Sequence, residues 1–123
     1  AYTNSPLIDY MRISPNRSVN RKHTIDTVTI IALWGSARGD FRDYLCEKFM
    51  LASANYGIGY DGRVGLYVEE KDRSWCTSSA SNDNRAITIE VASDTYDPYA
   101  VTDAAYNKLI DLLVDICKRN DIS

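Results

Sequence analysis

The chain has 123 residues, 45% of them hydrophobic and 25% charged, which is one domain's worth of material. Its 14 Lys and Arg stand against 17 Asp and Glu, a formal charge of -3 that excludes a general electrostatic grip on nucleic acid. The uncharged run Thr27–Ala37 is far short of the roughly 20 apolar residues a membrane span needs, so no span is expected.

Residues 1–22 mix Pro6, Pro15, Asn4, Asn16 and Asn20 with Arg12, Arg17, Arg21 and Lys22, and read as an irregular lead-in with a solvated basic face. Ala1–Ser18 carries prolines and arginines where a secretory signal places an apolar run, so no signal peptide is expected. The domain proper is then 23–123. Thr27–Leu33 is β-branched and aliphatic, the pattern of a central strand. From Asp40 to Leu51 the residues Phe41, Tyr44, Leu45, Phe49 and Met50 fall near helical spacing.

Tyr56–Tyr60 and Val64–Glu69 flank Asp61-Gly62, a dipeptide suited to positive φ, and predict a hairpin. The Ser- and Asn-rich stretch Arg73–Arg85 predicts a surface loop, and Ala86–Val91 a further strand. Val101–Asn120 predicts a helix with Tyr106, Leu109, Ile110, Leu113, Ile116 and Cys117 on its buried face. Lys118 and Arg119 suit its last turn, and Asn120 suits a left-handed end. Cys46, Cys76 and Cys117 are odd in number and widely spaced. They form no disulfide framework or zinc ribbon, which fits a reducing compartment and ordinary thiols.

Three segments resemble, in order and spacing, the type 2 N-acetylmuramoyl-L-alanine amidases, zinc enzymes that share a fold with peptidoglycan recognition proteins. Ser53-Ala54-Asn55-Tyr56-Gly57-Ile58-Gly59-Tyr60-Asp61-Gly62 is similar to the family's S-x-H-Y-x-I-x-x-D-G hairpin, Ser74-Trp75-Cys76 to its A-W-H, and Ile87-Thr88-Ile89-Glu90 to its I-G-I-E. The likeness is to phage and prophage lysins, whose branch tolerates Asn55 and Cys76 in place of the commoner histidines. It implies an α/β fold with a mixed central β-sheet flanked by helices, and a zinc-activated water attacking the muramoyl-L-alanine amide of peptidoglycan. Glu90 would take the proton from that water and pass it to the leaving amine. Trp75, Asn55 and Tyr56 would line the muropeptide groove. A lysin with no signal peptide would accumulate in the bacterial host cytoplasm and reach the wall after release.

The zinc ligands are where the resemblance breaks. The family's first ligand is a histidine at the end of the first core strand, and the matching position is Ile31, which cannot bind a metal. The family's other two ligands follow the long helix, beyond Ser123, so the domain is expected to be incomplete there. His23, the single histidine, precedes the strand and reads as a surface or cap residue. No metal-binding residue is therefore assigned, and the chain is expected to be inactive as a zinc hydrolase.

Ile31–Leu51 matches nothing in the family at the protein level, although both flanks do. If Ile30–Ala37 is encoded ATC ATT GCA TTG TGG GGC AGT GCT, reading from the last base of the first codon gives His-Cys-Ile-Val-Gly-Gln-Cys. That is similar to a lysin ligand strand. Asp43–Phe49, written GAT TAT CTT TGC GAG AAG TTT and read one base late, gives the family-like Ile-Ile-Phe-Ala-Arg-Ser. Residues 31 to about 51 are thus expected to be a frameshifted stretch of an amidase gene. Two functions compete: an altered zinc amidase, and a non-catalytic module that holds peptidoglycan or muropeptide. A third, docking through an apolar helix near Phe41–Met50, rests on amphipathicity alone.

Overall fold

The structure is a computed structural model that describes residues 3–34, 53–77, 79–93 and 101–122. Its elements are β1 (Tyr10–Met11), β2 (Arg17–Ser18), β3 (Thr27–Trp34), β4 (Tyr56–Ile58), β5 (Val64–Leu66), β6 (Arg73–Ser74), α1 (Ala80–Arg85), β7 (Ala86–Ser93) and α2 (Asp103–Arg119). Five strands form one mixed sheet in the order β1-β5-β4-β7-β3, antiparallel only between β4 and β5. A ribbon of β2 and β6 lies beside it. This is the α/β architecture expected, with β1 drawn from the lead-in to become an edge of the main sheet.

Period-two alternation divides the sheet into two faces. One carries Tyr56, Ile58, Val64, Leu66, Ile87, Ile89 and Val91, which pack with Ala105, Leu112 and Ile116 of α2 into the main core. The buried stripe of α2 therefore runs through Ala105, Leu112 and Ile116, with Leu109 and Leu113 packed at its margin. Tyr106 and Ile110, expected inside, are 54% and 43% exposed because they fall one helical row away from that stripe.

The hairpin turns where the sequence places it, with Gly62 at φ 82° and its amide donating to Gly59 O. The strands are shorter than expected on both sides. Arg73–Arg85 is not a loop throughout. It contains β6 and α1, and α1 forms because Ser79 caps it by accepting from Asn82 N while the buried Asp83 carboxylate accepts from the amides of Cys76 and Thr77. At the end of α2, Asn120 keeps φ -109° and the left-handed residue is Asp121, at φ 55°. Ile122 N then donates to Cys117 O, the long closing bond of a Schellman motif.

The predicted helix at Asp40–Leu51 lies outside the described residues, as does most of the proposed frameshifted stretch. Its first residues continue β3 as far as Trp34. Among the described residues, no helix is long and apolar enough to cross a membrane.

Candidate functional site

One row of register partners crosses the whole sheet on the face opposite α2: Tyr10, Gly65, Gly57, Glu90 and Ile31. In-register neighbours point to the same side of a sheet, so this row builds the site. Glu90 sits in its middle with Ile31 on one flank and Gly57 on the other, and neither flank brings a polar side chain. Thr88 and Ala92 precede and follow it on the same face of β7. Cys76 reaches this face from the segment between β6 and α1, close enough to interact electrostatically with Glu90 and Asp83.

Glu90 is only 5% exposed, and among the described residues its Oε2 has no hydrogen-bond partner. Burial alone pushes its carboxyl from the usual range up to about 7. A carboxyl held there is half protonated near neutrality, the condition in which it can either accept or donate a proton. Burial likewise pushes the Cys76 thiol up to about 12, with Glu90 and Asp83 adding to the shift, so the thiol stays neutral and a poor nucleophile.

The other expected site residues are placed differently. Trp75 is half-buried and firmly held: its amide donates to Ser53 Oγ at 2.9 Å and its indole Nε1 to Ser18 Oγ at 3.0 Å. Asn55 is fully buried, and its Oδ1 accepts from Thr88 N at 3.0 Å and Thr88 Oγ1 at 3.1 Å. Its Nδ2 donates to Val68 O at 3.0 Å, so the side chain splices the chain before β4 to β7 and to the segment after β5. Tyr56 is also fully buried and points to the α2 side, opposite Glu90, where its hydroxyl meets Glu70 and accepts from Ser5 N. Tyr56 thus belongs to the core, because alternation along β4 gives Gly57, not Tyr56, to the face of Glu90.

A residue outside the expected set joins that face. The Tyr10 ring lies over Gly65, so close that a β-carbon there would come within 2.5 Å of Tyr10 Cζ. Its hydroxyl meets that of Tyr67, and the Arg63 guanidinium stands 5.2 Å from its ring centroid. The signal for Tyr10 was weak: a glycine at the second position of a short strand indicates close approach but not by what.

Zinc, which the sequence resemblance implies, needs three or four nitrogen, sulfur or carboxylate donors around one point. Among the described residues no three His, Cys, Asp or Glu side chains are so grouped. The position beside Glu90 is a hydrocarbon, Ile31, and His23 lies before β3 with Nδ1 directed at Thr24 O. The described donor set does not fit the metal.

The sequence profile of the N-acetylmuramoyl-L-alanine amidase family matches residues 21–123. Among solved structures, the endolysin N-acetylmuramoyl-L-alanine amidase LysCS from Clostridium intestinale URNW is similar with a TM-score of 0.77 at 14% identity, over 99% of this chain and 80% of that one. A selenomethionine AmpD derivative gives 0.71 at 18% identity, over 95% and 77%. The Drosophila peptidoglycan recognition protein SA gives 0.69 at 17% identity, over 91% and 69%. No curated protein matches by sequence. At these identities the structures speak for the fold, and the profile, which spans most of the chain, speaks for descent: the chain belongs to the N-acetylmuramoyl-L-alanine amidase family.

Proposed function

We propose that the chain is a peptidoglycan-directed domain that, as its sequence stands, does not hydrolyse the muramoyl-L-alanine amide by the zinc route. The observation that carries this is the register of Ile31 with Glu90. The family resemblance puts a metal ligand at position 31, next to the carboxylate that manages the proton, and an isoleucine offers no lone pair there. Glu90 keeps a protonation equilibrium suited to proton transfer, but the described residues supply no group that would generate the attacking hydroxide.

A second reading, favoured by the orphaned Oε2 of Glu90 and the half-exposed Trp75, is that the domain holds muropeptide without cleaving it. Trp75 offers an aromatic wall of the kind that packs on sugar or peptide. Asn55 braces this face by accepting from Thr88, which neighbours Glu90 on the same side of β7. The two readings share one experiment: purified protein mixed with a cell-wall suspension in the presence of zinc. Sedimentation with the wall, without clearing and without stoichiometric zinc, supports both. Clearing of the suspension by protein that retains zinc contradicts them.

A further inference from the structure

Glu90 has a feature that a proton-transferring base does not require. Its Oε2 is buried and meets no donor among the described residues, although burying an ionised carboxylate without donors costs several kcal/mol. The surroundings explain how this is tolerated. On β3 the flank is Ile31, on β4 it is the bare backbone of Gly57, and on β7 the same-face neighbours are Thr88 and Ala92. The titratable groups that the described residues bring to this face are Cys76, Asp83, Tyr67, Tyr60 and Tyr10, with Arg63 beyond Tyr10. Asp83 is engaged with the amides of Cys76 and Thr77 and with Thr77 Oγ1, and Cys76 carries its proton. None of these supplies a positive charge to Glu90, whose shift has burial as its cause.

We infer that Glu90 in this chain is a binding residue whose neutral form donates its carboxyl hydrogen to a carbonyl oxygen of the bound muropeptide. This rests on the muropeptide-binding reading above. A carboxylic acid kept neutral by an apolar site is a strong donor, and amide carbonyls recur along the lactyl-peptide part of a muropeptide. Once ionised, the same group presents only acceptor oxygens to that carbonyl and repels the anionic stem peptide. Ligand affinity therefore falls as pH rises through the range in which Glu90 loses its proton.

The test is calorimetric titration of the full chain with N-acetylmuramoyl-L-alanyl-D-isoglutamine at about pH 6 and about pH 8.5, a span that brackets the carboxyl's transition. For the unaltered chain the affinity is expected to fall about tenfold at the higher pH, as loss of one charge-sensitive hydrogen bond would give. Glu90→Gln, whose amide donates at every pH, is expected to bind equally at both, and Glu90→Leu weakly at both. Binding of the unaltered chain that is flat with pH overturns the inference and leaves the binding reading standing. Failure to sediment with peptidoglycan or to bind the muropeptide at either pH overturns both. Infrared difference spectra of the unaltered chain against Glu90→Gln, without ligand, give a second measurement. A carboxylic-acid carbonyl band at neutral pH is expected, and its absence overturns the inference.

Discussion

Ile31 and Glu90 are register partners on the parallel strands β3 and β7, so a hydrocarbon side chain and a buried carboxyl share one face of the sheet. A polar or cationic neighbour at position 31 would stabilise the carboxylate. Isoleucine leaves burial unopposed, and the carboxyl rises to about 7.

That shift makes stability depend on pH in a definite direction. In the unfolded chain Glu90 ionises near its ordinary value of 4.5, whereas the folded chain holds the proton until about 7. The folded state therefore binds more protons between those values, and stability falls as pH rises through that window. Glu90→Gln removes this dependence and should leave the protein more stable than the unaltered chain by roughly 3 kcal/mol at pH 8, with little difference near pH 4. Urea unfolding of both proteins at the two pH values checks it, and parallel pH profiles would contradict it.

On the other face, Glu70 is fully buried and ties three parts of the chain together. Arg119 donates to its Oε2 at 2.7 Å and its Oε1 at 3.2 Å, Asn120 Nδ2 donates to Oε1 at 3.2 Å, and the Tyr56 hydroxyl meets Oε2. Removing the cation from a buried pair leaves a charge uncompensated, so Arg119→Ala should cost about 3–5 kcal/mol. Tyr56→Phe should cost about 1–2 kcal/mol and leave sedimentation with peptidoglycan unchanged, because the ring points away from Glu90. Lost sedimentation in a folded Tyr56→Phe protein would return that residue to the groove.

Gly65 and Tyr10 form a second coupled pair. A methyl group at position 65 meets the Tyr10 ring well inside contact distance, so Gly65→Ala should destabilise by roughly 1–3 kcal/mol. Tyr10→Ala vacates that space, and the double variant should lose less than the sum of the single ones. Additive losses in a thermal unfolding cycle would show that the two do not touch.

Much of this architecture is legible in the sequence, and the misplacements have physical causes. The hairpin was readable because Asp61-Gly62 states its own backbone conformation, and β7 because Ala86–Val91 is rich in β-branched residues. Tyr56 lies in the core and not beside Glu90 because the motif names neighbours along the chain, whereas alternation sends Tyr56 and Gly57 to opposite faces. Helix α1 was hidden in polar composition: its cap Ser79 and its buried Asp83 look like loop residues until Asp83 is seen gathering backbone amides. The buried stripe of α2 was rotated by one row because Tyr106 and Ile110 are as apolar as the residues that pack, and only the sheet decides which row faces inward. Tyr10 was unreadable, since pairing of β1 with β5 spans more than fifty residues of chain.

The origin of Ile31 is open to a direct check in the gene. The frameshift reading expects codons across Ile30–Ala37 that, read from the last base of the first, spell a histidine followed by a cysteine. Sequencing the coding DNA decides it, and codons in which no shifted frame yields that pair would end the idea.

The most direct test of the central claim is the appearance of new L-alanine amino termini in purified peptidoglycan incubated with the full chain and excess zinc. No release above a protein-free control is predicted, while the protein itself sediments with the wall. Release that grows with time and stops on adding a chelator would contradict the claim, because it would require a working metal centre beside Glu90 despite Ile31.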